Sequence, residues 1–255
     1  MGLILVFDMD QTILDSSDPS FYDDADTPEE ISALESKIAK SLNINVLRIL
    51  VRASKLRTSG KVTGLFLLTN NSSIPLVSAL DKVLLEISGS RGQFKRVEDP
   101  DVDEFPEKPY FFDYIMVRQH PRRPKLYNPP KRLYDILAMM EHIGMYDEHA
   151  NPLKDIYFFD DIGNHQLHND FKILEHGKYL DHYIHITPPF SMKTKDTTDY
   201  SPILHALSER NSNNRSPRTY KSHLVKGGRS RRTKKNKKIS KHRLRKMPIS
   251  FNSKM

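Results

Sequence analysis

Two aspartates that follow the first apolar run of the chain have the spacing of a catalytic pair. The run spans residues 2–7 and ends at Asp8, and Asp10 lies two positions further along the chain. Consecutive large apolar residues of this kind are typical of a strand that is buried on both faces. At the end of such a strand one carboxylate can act as a nucleophile or metal ligand and the other as an acid/base group, when their surroundings separate their pKa values. A simple turn is the structural alternative, because Asp and Thr favour turns.

Two later apolar runs also end in polar side chains. The run 64–68 ends at Thr69 and Asn70, and another run ends at Asp160 and Asp161. In a parallel sheet the carboxyl ends of the strands meet at one edge, so we expect these groups to lie near the first two aspartates. Grouped carboxylates repel each other unless a cation neutralises them, and ligands that are all oxygen favour Mg²⁺. Carboxylates, a hydroxyl and a nearby lysine around Mg²⁺ are suited to phosphoryl transfer.

The elements that must position these groups alternate between strands and helices. Strands are predicted at residues 2–7, 61–68, 112–117, 155–159 and 182–187. Helices are predicted from Pro28 after the cap residue Thr27, from Asn45 to Gly60, from Ile74 to Ile87, from Pro129 to Ile143 after the cap residue Asn128, and from Tyr200 to Glu209. This alternation predicts an α/β protein, a Rossmann-like doubly wound three-layer sandwich with a mainly parallel sheet.

The order and spacing of the polar strand ends resemble the haloacid dehalogenase superfamily of aspartate-nucleophile phosphatases. Its first motif, an apolar strand followed by Asp-x-Asp-x-Thr, matches residues 3–12. Its second motif, a strand followed by Thr or Ser, matches 64–69, and its fourth, a strand followed by an acidic pair, matches 155–161. The resemblance covers roughly residues 1–190 of the chain.

This resemblance implies a role for each of the polar strand ends. Asp8 would attack phosphorus and form an aspartyl-phosphate, while Asp10 would protonate the leaving group and then activate the hydrolytic water. Thr69 and Asn70 would bind the phosphoryl oxygens. Mg²⁺ would be held by Asp8, the backbone carbonyl of Asp10 and an acid of the pair at 160–161, of which the second fits the usual ligand position better. An acid at the position of Asp10 favours phosphatase over dehalogenase chemistry, because dehalogenases of the family lack it.

The lysine of the third family motif is the least clear part of the resemblance. Lys125 lies just ahead of the predicted helix cap Asn128 and is the first choice as a catalytic and phosphate-binding residue. Lys131, expected in the first turn of that helix, is the second choice. Lys125 is equally well explained as a solvated residue of a basic connector that also contains Arg122 and Arg123.

Four further polar residues have alternative interpretations. His165 and His168 have a spacing that suggests a metal site, although histidines on a helix surface or in a satisfied core explain them better. Asn164 could contact a metal-bound carboxylate or cap the next helix. Thr69 could serve only as a helix cap.

The charge of the chain is distributed unevenly. Residues 210–255 contain 17 Lys/Arg and no Asp or Glu, whereas residues 1–209 contain 23 Lys/Arg and 32 Asp/Glu, a net charge of −9. We predict a catalytic domain at 1–209 and a disordered basic tail at 210–255, because the tail has too few apolar residues to offset the entropy of folding. Residues 221–246 could make sequence-independent contacts with nucleic-acid phosphates, act as a nuclear localisation signal, or fold back onto the acidic domain.

The absence of cysteine excludes disulfides, thiolate metal sites and a cysteine nucleophile. No apolar run approaches the ~18 residues of a membrane span, so no membrane partner is expected. An intracellular location in the cytoplasm or nucleus follows as the expectation. The tail after Gly227-Gly228 also resembles the C-termini of some large DNA virus proteins, so the cell could be a virus-infected one.

The motif spacing predicts little or no cap domain over the site. Two helices and a strand use most of residues 13–68, which separate the first motif from the second. Family members with a minimal cap act on large substrates, which implies a phosphatase for a phosphoprotein or a nucleic-acid phosphate. The alternative is a catalytically weak binding protein on the same fold, tethered to nucleic acid by its tail.

Overall fold

A five-stranded parallel sheet lies between two layers of helices in the computed structural model. The structure describes residues 2–23, 25–89, 111–126, 129–142, 144, 152–163 and 165–208. The strands are β1 (Leu3–Phe7), β2 (Val62–Leu68), β3 (Tyr114–Met116), β4 (Ile156–Asp160) and β5 (Tyr183–His185). The helices are α1 (Pro28–Lys40), α2 (Ile44–Leu56), α3 (Ile74–Ser88), α4 (Leu133–His142), α5 (His165–Ile173) and α6 (Ser201–Ser208). The predicted α/β class with a Rossmann-like arrangement is confirmed.

The sheet reverses its direction of growth next to β1. The strand order is β3-β2-β1-β4-β5, and every neighbouring pair is parallel. The chain proceeds from β1 outward to β3 and then returns to the other side of β1 with β4. Open α/β sheets bind ligands at the carboxyl ends of the two strands that flank such a reversal, which here are β1 and β4.

Alternate residues of β1 pack against opposite helical layers, which is why the whole run is apolar. Leu5 and Phe7 belong to one core with α1, α2, α3 and α6, whereas Ile4 and Val6 belong to a second core with α4 and α5. The ring of Phe7 stacks on that of Phe159 in β4 with centroids 4.3 Å apart. These contacts hold the ends of β1 and β4 side by side.

The first two helices begin after polar residues that cap their N-termini. The predicted cap residue Thr27 is confirmed: it accepts a hydrogen bond from the N–H of Glu30, and the Glu30 side chain accepts one from the N–H of Thr27. Asn43 caps α2, which ends at Leu56 rather than at the predicted Gly60. These two helices contain 26 of the 54 residues between β1 and β2.

The start of α4 differs from the prediction. The helix begins at Leu133 and not at Pro129. The N–H of Leu133 donates to the Asp170 side chain of α5 at 3.0 Å, so a partner from another helix satisfies the helix terminus. As a consequence Lys131 lies in a non-helical segment ahead of α4. The predicted cap Asn128 lies outside the described residues.

Some other predictions also fall outside the described residues. They include Ile143 and the whole tail at 210–255. Within the part of the chain that the structure describes, every helix is too short or too polar to cross a membrane.

Candidate active site

Three buried aspartates meet at the carboxyl ends of β1 and β4. Asp8 follows β1, and its N–H donates to the carbonyl of Phe159 at 2.9 Å. Asp160 is the last residue of β4, and Asp161 is the next residue. Carboxylate oxygens of all three aspartates lie within 4.8 Å of one another. The structure thus brings together three of the acids that the sequence placed at strand ends.

Lys131 is the cation of this cluster. Its Nζ lies 2.8 Å from Oδ1 of Asp8 and 2.8 Å from Oδ1 of Asp160, and the lysine is only 3% exposed. Lys125, the first choice from the sequence, is instead exposed on the connector. The reason is the late start of α4, because the non-helical segment before that helix brings Lys131 back to the strand ends.

The two acids of the pair at the end of β4 have different partners. Oδ1 of Asp160 accepts from Lys131, and its Oδ2 accepts from the hydroxyl of Tyr183 in β5 at 2.9 Å. Oδ1 of Asp161 is buried and has no hydrogen-bond partner among the described residues. A buried oxygen of this kind requires a proton or a cation. Asp161 is therefore the better candidate metal ligand of the two, a choice that the sequence left open.

The loop after β1 contains apolar residues that belong to the core with α1, α2, α3 and α6. The carbonyl of Met9 accepts hydrogen bonds from the N–H groups of Ile13 and Leu14, and all three side chains are buried. Gln11 has a φ of 50°, in the left-handed region. This tight loop holds Asp10 next to the cluster without burying it completely.

Asp10 is surrounded by hydrogen-bond donors that the sequence did not reveal. It accepts from Oγ of Ser16 at 2.6 Å, from Nδ2 of Asn71 at 3.1 and 3.3 Å, and from the hydroxyl of Tyr22 at 3.3 Å. The amide that reaches Asp10 is thus that of Asn71, whereas the predicted phosphate ligand was the neighbouring Asn70. No local sequence pattern signals these contacts, because the donors lie 6 to 61 positions from Asp10.

Thr69 lies at the end of β2 and is fully buried. Its Oγ1 accepts a hydrogen bond from the N–H of Asn71 at 3.0 Å. The cap of α3 is Ser73, so the interpretation of Thr69 as a helix cap is wrong. A hydroxyl that already accepts one bond keeps its own hydrogen to donate to a ligand.

Arg123 connects the end of β2 to the segment that carries Lys131. Its guanidinium donates to the carbonyl of Thr69 at 2.9 Å and to that of Pro129 at 3.2 Å, and the residue is buried. The sequence placed Arg123 in a basic connector and gave it no role in the site. A buried arginine with two carbonyl acceptors instead fixes the position of the segment that holds Lys131.

His168, near the acidic pair, is not part of the candidate metal cluster found among the described residues. His168 is half-buried and packs edge-on against Tyr183, with ring centroids 5.3 Å apart. The candidate metal cluster contains aspartates alone. Asn164 and the side chain of His165 lie outside the described residues.

Burial is the main cause of the altered pKa values in the site. Burial, together with the charges of Asp8 and Asp160, raises the pKa of Asp161 to about 7 against the opposing charge of Lys131. Burial also raises the pKa of Asp8, which the charge of Lys131 lowers in part. Burial and the charge of Asp8 raise the pKa of Asp10, and its three hydrogen-bond donors lower it by less. Burial alone would lower the pKa of Lys131, but the charges of Asp8 and Asp160 outweigh it and raise the pKa.

We expect wild type without metal to lose stability relative to an Asp161→Asn variant as the pH rises from about 5 to about 8. The pKa of Asp161 is about 7 in the folded protein against an ordinary value of 3.8. The folded state therefore binds this proton more tightly than the unfolded state. The free energy of unfolding falls as the pH rises towards the pKa of the folded state. The difference in free energy of unfolding should change by at least about 1 kcal/mol, measured by urea unfolding at both pH values.

The matched control is Asp181→Asn, because Asp181 is exposed on a turn before β5. This variant should follow wild type at both pH values. If the cluster binds Mg²⁺, saturating Mg²⁺ should remove most of the effect, because the cation would replace the proton. A constant difference between Asp161→Asn and wild type across the range would contradict the burial of an uncompensated carboxylate.

No family model, curated protein or solved structure matches this chain. The donor set of the site indicates which ligand it could hold. Three carboxylates and one ammonium group leave a net charge of −2, which one divalent cation neutralises. The all-oxygen ligands and the unpartnered oxygen of Asp161 fit Mg²⁺.

Proposed function

We propose that the protein is a Mg²⁺-dependent phosphatase of the haloacid dehalogenase type that acts through an aspartyl-phosphate. The observation that carries this proposal is the contact of Lys131 with both Asp8 and Asp160, next to the unpartnered oxygen of Asp161. A fixed cation beside a buried carboxylate favours both the anionic nucleophile and the negative charge of an incoming phosphate. A metal held at the same point would neutralise the phosphoryl oxygens.

The chain supplies the groups that this reaction needs. Lys131 holds Oδ1 of Asp8, and attack by the other carboxylate oxygen on phosphorus forms the aspartyl-phosphate while the bond from phosphorus to the leaving oxygen breaks. Asp10 donates its proton to that leaving oxygen. It then takes a proton from the water that attacks phosphorus, which releases phosphate and restores Asp8. Thr69 and Asn70 would bind the phosphoryl oxygens, and Mg²⁺ would bind to Asp8, Asp161 and the carbonyl of Asp10.

A large anionic substrate is consistent with the connector beside the site. The side chain of Gln119 donates to the carbonyl of Ser72 at 2.9 Å, so the connector runs along the end of β2. Arg122 and Lys125 are exposed on it. In this proposal these side chains would contact parts of a phosphoprotein or nucleic acid beyond the transferred phosphoryl group. The basic run 221–246 would add sequence-independent contacts with nucleic-acid phosphates.

Hydrolysis of a generic aryl phosphate by the full chain tests this function. We expect release of phosphate with Mg²⁺, its loss on addition of EDTA, and its return when Mg²⁺ is restored. The control variant Asp181→Asn should behave as wild type. Failure to hydrolyse an aryl phosphate, a phosphopeptide and a phosphorylated oligonucleotide would instead favour a binding protein on the same fold.

A further inference from the structure

The two carboxylate oxygens of Asp10 have unequal surroundings. Oδ1 accepts hydrogen bonds from Ser16 at 2.6 Å, from Tyr22 at 3.3 Å and from Asn71 at 3.3 Å. Among the described residues, the donor that reaches Oδ2 is Asn71 alone, at 3.1 Å. Oδ1 is therefore saturated with donors, whereas Oδ2 has room for a further partner.

The side chain of Asn71 has one possible orientation in this structure. Its Oδ1 accepts from the N–H of Ser73 at 2.8 Å, and because a backbone N–H can only donate, the Nδ2 group must face Asp10. The N–H of Asn71 itself donates to Oγ1 of Thr69. The residue is only 6% exposed. Asn71 thus links the end of β2 and the start of α3 to the carboxylate of Asp10.

We propose that Asn71 is a positioning residue for Asp10, which it holds together with Ser16 so that Oδ2 faces the leaving group. Oδ2 carries the proton that passes to the leaving oxygen as the bond from that oxygen to phosphorus breaks. Oδ1 is occupied by its donors throughout. This inference rests on the proposed phosphatase function, in which Asp10 is the general acid.

The test compares two leaving groups in an Asn71→Ala variant. Departure of an alkoxide needs a proton, whereas p-nitrophenolate leaves without one, so a misplaced acid should harm only the alkyl substrate. We expect kcat/KM, which reports the first phosphoryl transfer, to fall about 10- to 100-fold for an alkyl phosphate and at most about threefold for p-nitrophenyl phosphate. Ser16→Ala should shift the ratio in the same direction and serves as the second variant if Asn71→Ala does not fold.

The neighbouring Ser72→Ala is the matched control and should leave both rates unchanged. An unchanged ratio of the two kcat/KM values in both variants would overturn the inference, even if both rates fall, because a merely structural role lowers them together. If wild type hydrolyses neither substrate, the proposed function fails and the inference fails with it. If wild type is active and the ratio is constant, only the inference fails.

Discussion

Asp8→Asn should lower the Mg²⁺-dependent hydrolysis of an aryl phosphate by at least about 1,000-fold. The amide has the shape of the carboxylate but is not a nucleophile, so no aspartyl-phosphate can form. The variant should fold, because Asn retains an oxygen acceptor for Lys131 and removes one charge from three crowded carboxylates. Phosphate release under single- and multiple-turnover conditions measures the effect.

Two controls separate lost chemistry from lost structure in this experiment. Asp181→Asn makes the same chemical change at an exposed position and should retain full activity. The unfolding midpoint of metal-free Asp8→Asn should equal or exceed that of wild type. Activity above about one tenth of wild type would show that another group attacks phosphorus.

Lys131→Met should lower the free energy of unfolding by about 3–5 kcal/mol in the absence of metal. Methionine preserves most of the length and volume of the side chain but removes the charge. Asp8, Asp160 and Asp161 would then be buried without a cation. Removal of one partner leaves buried charges unpaired, which costs more free energy than removal of both partners. Urea unfolding of both proteins near neutral pH measures the loss.

Lys125→Met is the matched control, because Lys125 is exposed, and its effect should stay within about 0.5 kcal/mol. The double variant Lys131→Met with Asp160→Asn should recover part of the lost free energy of unfolding, because one of the unpaired buried carboxylates is removed as well. It also provides a measurement if the single variant does not fold. Equal stability of Lys131→Met and Lys125→Met would refute the buried cluster.

The sequence predicted the sheet well, because its strongest signals are local. Apolar runs of four or five residues mark β1, β2 and β4. Each of these runs ends in a polar side chain. The parallel arrangement then requires the polar ends to share one edge of the sheet, so the meeting of Asp8 with Asp160 and Asp161 could be expected.

The lysine and the partners of Asp10 could not be predicted in the same way. The N–H of Leu133 at the start of α4 donates to the side chain of Asp170, which lies 37 positions further along the chain. Lys131 lies just ahead of this helix, where its Nζ reaches Asp8 and Asp160. Ser16 and Asn71 converge on Asp10 from different loops, and neither has a local pattern that distinguishes it from an ordinary turn residue.

By itself the sequence determined the fold class, the edge of the sheet that carries the site and the aspartates that meet there, because periodic apolar runs and their polar ends are local properties. Only the tertiary structure decided which lysine neutralises the cluster, which acid of the pair at 160–161 has a free oxygen and which donors orient Asp10. Those choices depend on distances between segments that are far apart in the chain. The first two aspartates could be predicted from the sequence. The groups that control their charge and orientation could be identified only in the folded structure.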